Sequence, residues 1–193
     1  MEYKPMREYS HEDFVELIKN LTEEELLNLS SNYGGYPVLF RMALDPTVSH
    51  IPFIQTGSAI IVRNENGDIL LQQRIDNGRW GLPGGCQELG EDLRVTAQRE
   101  LFEETNIAVE LSDLILIDNI SGNSRRRSYP NGDIVYNNTS LYLVDVNSNE
   151  ITITANSESI KLEFVNPDSI PTDLHDGDLI EAYINYRDNQ KRR

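Results

Sequence analysis

Apolar and polar positions alternate in a way that divides the chain into recognisable elements. In "SAIIVRNENGDILLQQR", residues 58–74, two runs rich in branched apolar residues flank Asn66-Gly67. That dipeptide between such runs predicts a β-hairpin. A glycine-rich loop follows in "DNGRWGLPGG", and then a helix over 91–105. In that helix Leu93, Ala97 and Leu101 recur every fourth residue, which makes one buried stripe. The stretches "IAVELSDLILIDNIS", "DIVYNNTSLYLVDV", "ITITA" and "IKLEFV" read as strands, and "LIEAYINYRDN" as a closing helix after the loop "PDSIPTDLHDGD". Strands interleaved with helices predict an α/β chain with a mixed sheet covered by helices.

The first fifty residues have a different texture. Ser10 stands three residues before Asp13, and Thr22 three before Glu25 in capping-box spacing. Two short helices are expected, ending near the "NYGGYP" turn at 32–37. The character changes around His50–Pro52. The expected division is therefore a helical extension over 1–50 and a main domain over 51–193.

Composition narrows the function. The chain has 193 residues, 38% hydrophobic and 25% charged, which suits a globular domain with a real core. No apolar run approaches the roughly 20 residues of a membrane span, and the start lacks the apolar stretch of a signal peptide. With one cysteine, Cys86, no intrachain disulfide can form, and a reducing cytoplasm is the expected location. Three scattered histidines (His11, His50, His175) make a zinc cluster implausible. The net charge of −15 argues against a nucleic-acid partner, yet leaves room for a small phosphate ligand, since a metal ion reverses the field of an acidic site.

One acidic group stands apart. "RELFEET" puts Glu100, Glu103 and Glu104 near the C-terminal end of the expected helix. Like charges at that spacing repel, and the helix dipole adds to the cost. At about 100° per residue, Glu100 and Glu104 lie beside the apolar stripe, and Arg99 can pair with Glu103. Two readings remain open from spacing alone: a solvated acidic face, or carboxylates gathered around a hard cation such as magnesium.

Taken with the preceding glycines, the run resembles a known signature. Gly85, five residues, Glu91, seven residues, Arg99-Glu100-Leu101, one residue, Glu103-Glu104, one residue, Asn106-Ile107 is similar to the Nudix box, G-x5-E-x7-R-E-U-x-E-E-x-G-U with U a bulky aliphatic. The departure is Asn106 in place of glycine. Asparagine is the usual substitute where a helix ends in the left-handed conformation, so a mild stability cost is expected.

The resemblance implies the Nudix fold, a mixed β-sheet sandwiched between α-helices, and metal-dependent hydrolysis of a pyrophosphate bond in a nucleoside diphosphate derivative. It implies Glu100, Glu103 and Glu104 as ligands of magnesium, with manganese as an alternative, beside a carbonyl of Gly84 or Gly85. Arg99 would orient the glutamates, and Glu91 and Gly85 would shape the loop and helix start. The general base would be Glu100, or else Glu158 in "NSESIKL". Arg74 and Arg79 are candidates to hold phosphates, and Tyr136, Tyr129 or Trp80 to stack on a base. The arginines 125–127 suit a solvated loop better than a clamp. ADP-ribose or another nucleoside diphosphate sugar and a nucleoside triphosphate are the substrate classes implied, and a homodimer is a common form among such proteins. A non-catalytic nucleotide sensor and an RNA 5′-end pyrophosphohydrolase are the competing readings. The intact glutamates disfavour the first and the net charge disfavours the second.

Overall fold

Residues 10–32, 52–128 and 134–192 are described by the computed structural model. The "NYGGYP" turn beyond Asn32, His50 and Tyr129 lie outside them. Contacts divide the chain into two units, Met1–Gln55 with Arg125–Asn137, and Thr56–Ser124 with Asn138–Arg193.

In the first unit, α1 (His11–Asn20) and α2 (Glu23–Asn32) form where their caps predict. The Ser10 hydroxyl accepts from the Asp13 N–H at 3.1 Å. Thr22 and Glu25 make the reciprocal box, the Glu25 carboxylate accepting the Thr22 N–H at 2.9 Å. The buried positions of these helices are Phe14, Ile18, Leu21, Leu26 and Leu29. The same unit holds β6 (Arg126–Ser128), which pairs antiparallel with the start of β7 (Ile134–Asp145).

The second unit is built on a sheet. The remaining strands are β1 (Phe53–Arg63), β2 (Ile69–Arg74), β3 (Trp80–Gly81), β4 (Gly84–Cys86), β5 (Ile115–Ile120) and β8 (Ser159–Val165). The order is β3-β2-β1-β7-β5, with β4 on β1 and β8 on β2. The β1–β2, β1–β4, β2–β3, β2–β8 and β5–β7 ladders are antiparallel, and a parallel bridge joins Trp80 to Leu174. The predicted hairpin closes with Arg63 opposite Ile69 and Gly67 in the left-handed region at φ 83°. Inside it the Asn64 side chain accepts the N–H groups of Asn66 and Asp68.

Period-two alternation assigns each strand residue a face. Ala59, Ile61, Ile69, Leu71, Leu141 and Leu143 pack with Leu179, Ile180 and Tyr183 of α4 (Gly177–Lys191). Ile60, Val62, Leu70, Tyr142 and Val144 pack with Ala97 and Leu101 of α3 (Leu93–Thr105). The sheet is thus sandwiched between α3 and α4, as expected.

Three local expectations change. "ITITA" is not a strand, although Ile151 and Ile153 still pack on the α3 side. Instead of joining a ladder, the Thr154 N–H caps the end of α3 at the Thr105 carbonyl, 2.9 Å away. In "IAVELSDLILIDNIS" only β5 is extended into a ladder, because the Val109 carbonyl is taken by the Gln98 side chain at 2.6 Å and a 3-10 turn follows at Leu111–Asp113. The glycine-rich loop contains two short strands, since glycines allow β4 to lie close along β1.

Candidate active site

The site is assembled where β4 meets the last turns of α3. Asp92 caps α3, accepting the Arg94 N–H at 2.8 Å, so the helix begins two residues later than expected. Glu91 therefore lies before the helix and not in its first turn. Asn106 ends the helix at φ 62°, and its N–H bonds the Phe102 carbonyl at 2.8 Å, which is the left-handed cap expected for it.

Arg99 organises the acidic side chains. It donates to Glu91 at 2.7 and 3.1 Å, to Glu100 at 2.8 Å, to Glu103 at 3.2 Å and to the Cys86 carbonyl at 2.9 Å. Glu91 also accepts the Glu88 N–H at 3.0 Å and the Thr96 hydroxyl at 2.9 Å. The guanidinium and these donors hold its carboxyl down at about 2. Glu91 is thus the clasp of the loop onto α3.

Glu104 is 3% exposed. Its Oε2 accepts the Gly84 N–H at 2.7 Å and its Oε1 accepts the Gln72 amide at 3.3 Å. Burial pushes it up to about 7, and burial raises Glu100 as well. The charge of Glu158 acts on both glutamates in the same direction, so this turn residue faces the site electrostatically while its side chain stays exposed. Gly84 reaches Glu104 through its N–H, where a carbonyl was anticipated nearby.

Both glycines sit at close approaches. A Cβ on Gly84 would overlap the Ser58 carbonyl, and a Cβ on Gly85 would overlap the Glu100 carboxylate. That cradle, with three carboxylates and adjacent backbone, is an all-oxygen donor set of the type hard divalent cations take. Among the described residues no three His, Cys, Asp or Glu side chains converge on one point as they stand. Glu104 is turned to Gly84, while Glu100 and Glu103 share Arg99. Gathering a cation requires the flexible ends of Glu100 and Glu103 to turn from Arg99.

The other expected residues are placed unequally. Arg74 pairs with Asp76 at 3.0 Å and lies within electrostatic reach of Glu104. Arg79 pairs with Asp173 at 2.8 Å and donates to the Leu174 carbonyl, clamping the loop before α4 onto β3. Trp80 packs against the α4-side core with Lys161 over its ring at 5.3 Å. Tyr136 stands opposite Arg126 in the β6–β7 ladder, in the first unit and not in the unit of the glutamates. Sequence reasoning passed over Gln72 and Ser159, both buried and both bonded into the Glu104 network. No local signal singles out Gln72, which opens the polar end of β2 before Gln73 and Arg74.

A sequence model described as the NUDIX domain matches residues 54–183. The chain belongs to the NUDIX family. Among curated relatives it is 45% identical over 56 residues to a putative 8-oxo-dGTP diphosphatase of Bacillus subtilis, covering 29% of this chain and 38% of that one. It is 40% identical over 58 residues to an RNA pyrophosphohydrolase of Roseobacter denitrificans, covering 29% and 36%. Such matches span half or less of those relatives' own length. The fold is similar to the Escherichia coli dihydroneopterin triphosphate pyrophosphohydrolase, with TM-score 0.56, 21% identity, and 69% of this chain and 95% of that one covered. No helix among the described residues is long and apolar enough to cross a membrane.

Proposed function

We propose that this NUDIX protein is a cytoplasmic hydrolase, its catalytic domain within 51–193, that cleaves a pyrophosphate bond in a small nucleotide. The substrate classes are a nucleoside triphosphate and a nucleoside diphosphate sugar such as ADP-ribose. The observation that carries this reading is the pairing of a buried Glu104 with Gly84 beside Glu100, Glu103 and the Gly85 cradle.

Glu100, Glu103 and Glu104, with a carbonyl of Gly84 or Gly85, would hold magnesium or manganese. Bound there, such an ion offsets the charge of the diphosphate and lowers the pKa of a water. Arg99 sets the orientation of Glu100 and Glu103 and balances part of their charge when no ion is bound. Glu100 accepts the water's proton, with Glu158 as the alternative from the facing turn. Arg74 is the better placed of the two arginines to meet a phosphate, since it lies within electrostatic reach of Glu104, while Arg79 is tied to Asp173 and the Leu174 carbonyl.

The test is a panel of nucleotides assayed with magnesium for released phosphate or pyrophosphate, including nucleoside triphosphates, ADP-ribose, nucleoside diphosphate sugars and 5′-triphosphate RNA. The Glu103→Gln, Glu104→Gln double variant runs beside the wild type. Turnover that survives the double change removes the metal-site assignment. Absence of turnover on every substrate favours the nucleotide-sensing reading.

A further inference from the structure

Gln72 is a buried amide on the side of β2 that faces α3. Alternation along β2 puts it on the same side as Leu70, which packs with Ala97 and Leu101. It is 1% exposed. Burying an amide costs free energy unless each end is bonded, and here each end is. Its amino group donates to the Leu82 carbonyl at 3.2 Å and to Oε1 of Glu104 at 3.3 Å. Its Oε1 accepts the Ser159 hydroxyl at 2.8 Å.

The partners fix which way the amide points. A backbone carbonyl accepts only, so the amino end must face Leu82, and with it Oε1 of Glu104 beside that carbonyl. The oxygen then faces Ser159, whose hydroxyl must donate. Ser159 opens β8 directly after Glu158, and the Glu158 carbonyl accepts the Ile75 N–H at 2.8 Å just past the end of β2. Glu104 is gripped at one oxygen by Gly84 of β4 and at the other by Gln72 of β2.

We propose that Gln72 is a positioning residue: oriented by Ser159, it sets the angle of the Glu104 carboxylate and holds the Glu158 turn in register with it. The role of that carboxylate in turnover rests on the function proposed above; the positioning itself does not. A leucine at 72 would fill the volume but leave Oε1 of Glu104 and the Ser159 hydroxyl without this partner. A glutamate would set a second carboxylate against the first.

The experiment uses the full chain with Gln72→Leu, Gln72→Glu, Ser159→Ala and Ser159→Thr. The first readout is the Gly84 backbone amide resonance in the metal-free protein, which reports its charge-assisted bond to Glu104. The second is kcat and KM with magnesium on whichever nucleotide the wild type hydrolyses. Expected are a displaced Gly84 resonance in Gln72→Leu, Gln72→Glu and Ser159→Ala, and a wild-type position in Ser159→Thr. Alongside it kcat falls on the order of 10-fold with little change in KM. A Gly84 resonance that stays in place in Gln72→Leu while only the melting temperature falls overturns the proposal and leaves Gln72 a packing residue. If Gln72→Leu does not fold, Ser159→Ala, which removes a single oxygen, decides the matter in the same way. A wild type inactive on every nucleotide counts against the proposed function, and the Gly84 readout still decides the positioning.

Discussion

Gly84 donates its backbone N–H to Oε2 of Glu104 across 2.7 Å, tying the last turn of α3 to a strand twenty residues earlier. The bond is charge-assisted when Glu104 is ionised, yet it does not repay the loss of water around a carboxylate that is 3% exposed. Glu104 consequently holds its proton up to about pH 7 in the folded chain.

This makes stability depend on pH with a definite sign. The folded value lies above the ordinary 4.5, so the folded state binds the proton more tightly than the unfolded chain between those limits. Stability is greatest below the ordinary value and is lost as pH rises toward 7. The metal-free protein should lose on the order of 3 kcal/mol from this group across the window. Glu91 acts oppositely, with a folded value near 2, and its contribution is lost only in stronger acid. Urea unfolding in chelator at about pH 5.5 and about pH 8 measures the loss. Glu104→Gln should reduce it, Glu100 supplying the remainder in the same direction, and an undiminished slope in that variant refutes the assignment.

Arg99 supplies the second prediction. Its planar fork serves Glu91, Glu100, Glu103 and the Cys86 carbonyl together. Glu91 and Glu100 are 13% and 15% exposed at their side chains, so these are half-dry pairs. A lysine cannot reproduce the fork, and Arg99→Lys should cost about 1–2 kcal/mol. Arg99→Ala strands two shielded carboxylates and should cost about 3–5 kcal/mol. A double-mutant cycle with Glu91→Gln should show coupling, because that variant removes the stranded charge at the loop.

The parts legible in the sequence are those whose periodicity is local. Ala97 and Leu101 line the buried side of α3 as their spacing requires, and the Asn66-Gly67 turn closes its hairpin. Strands β3 and β4 were hidden because a glycine has no side chain to alternate; β4 lies on β1 through the close approaches of Gly57 to Gly85 and of Gly84 to Ser58 and Ala59, and β3 pairs with β2. "ITITA" misled for the converse reason, meeting the alternation with no strand beside it. Gln72 and the Arg79–Asp173 pair depend on contacts far apart in the chain, to which no local pattern answers. The acidic cluster was legible as a group near the end of one helix, but its division between Arg99 and Gly84 was not.

Asn106 gives a test of the one departure from the Nudix box. At φ 62° it pays a strain that asparagine bears better than other side chains. Asn106→Ala should therefore lower stability by about 1 kcal/mol, and Asn106→Gly should hold or slightly raise it. Turnover should be unchanged in both, since the residue touches none of the site carboxylates. A loss of activity in Asn106→Gly without loss of stability contradicts its reading as a cap alone.

The two neighbouring glycines should fail in different ways. A methyl group on Gly84 meets the backbone of Ser58 and Ala59, and the residue sits at φ 153°. Backbone cannot step aside, so Gly84→Ala should destabilise the fold by about 3 kcal/mol. A methyl group on Gly85 meets the carboxylate of Glu100, the far end of a flexible side chain. Glu100 can swing away, so Gly85→Ala should stay within about 1 kcal/mol of wild type. The swing moves the group assigned to accept the water's proton, and activity should drop by about 10-fold or more. Thermal melts and turnover on the same two proteins separate these outcomes. Equal loss of stability in both would mean that Glu100 is held too rigidly by Arg99 to yield, and that Gly85 serves the fold before it serves the site.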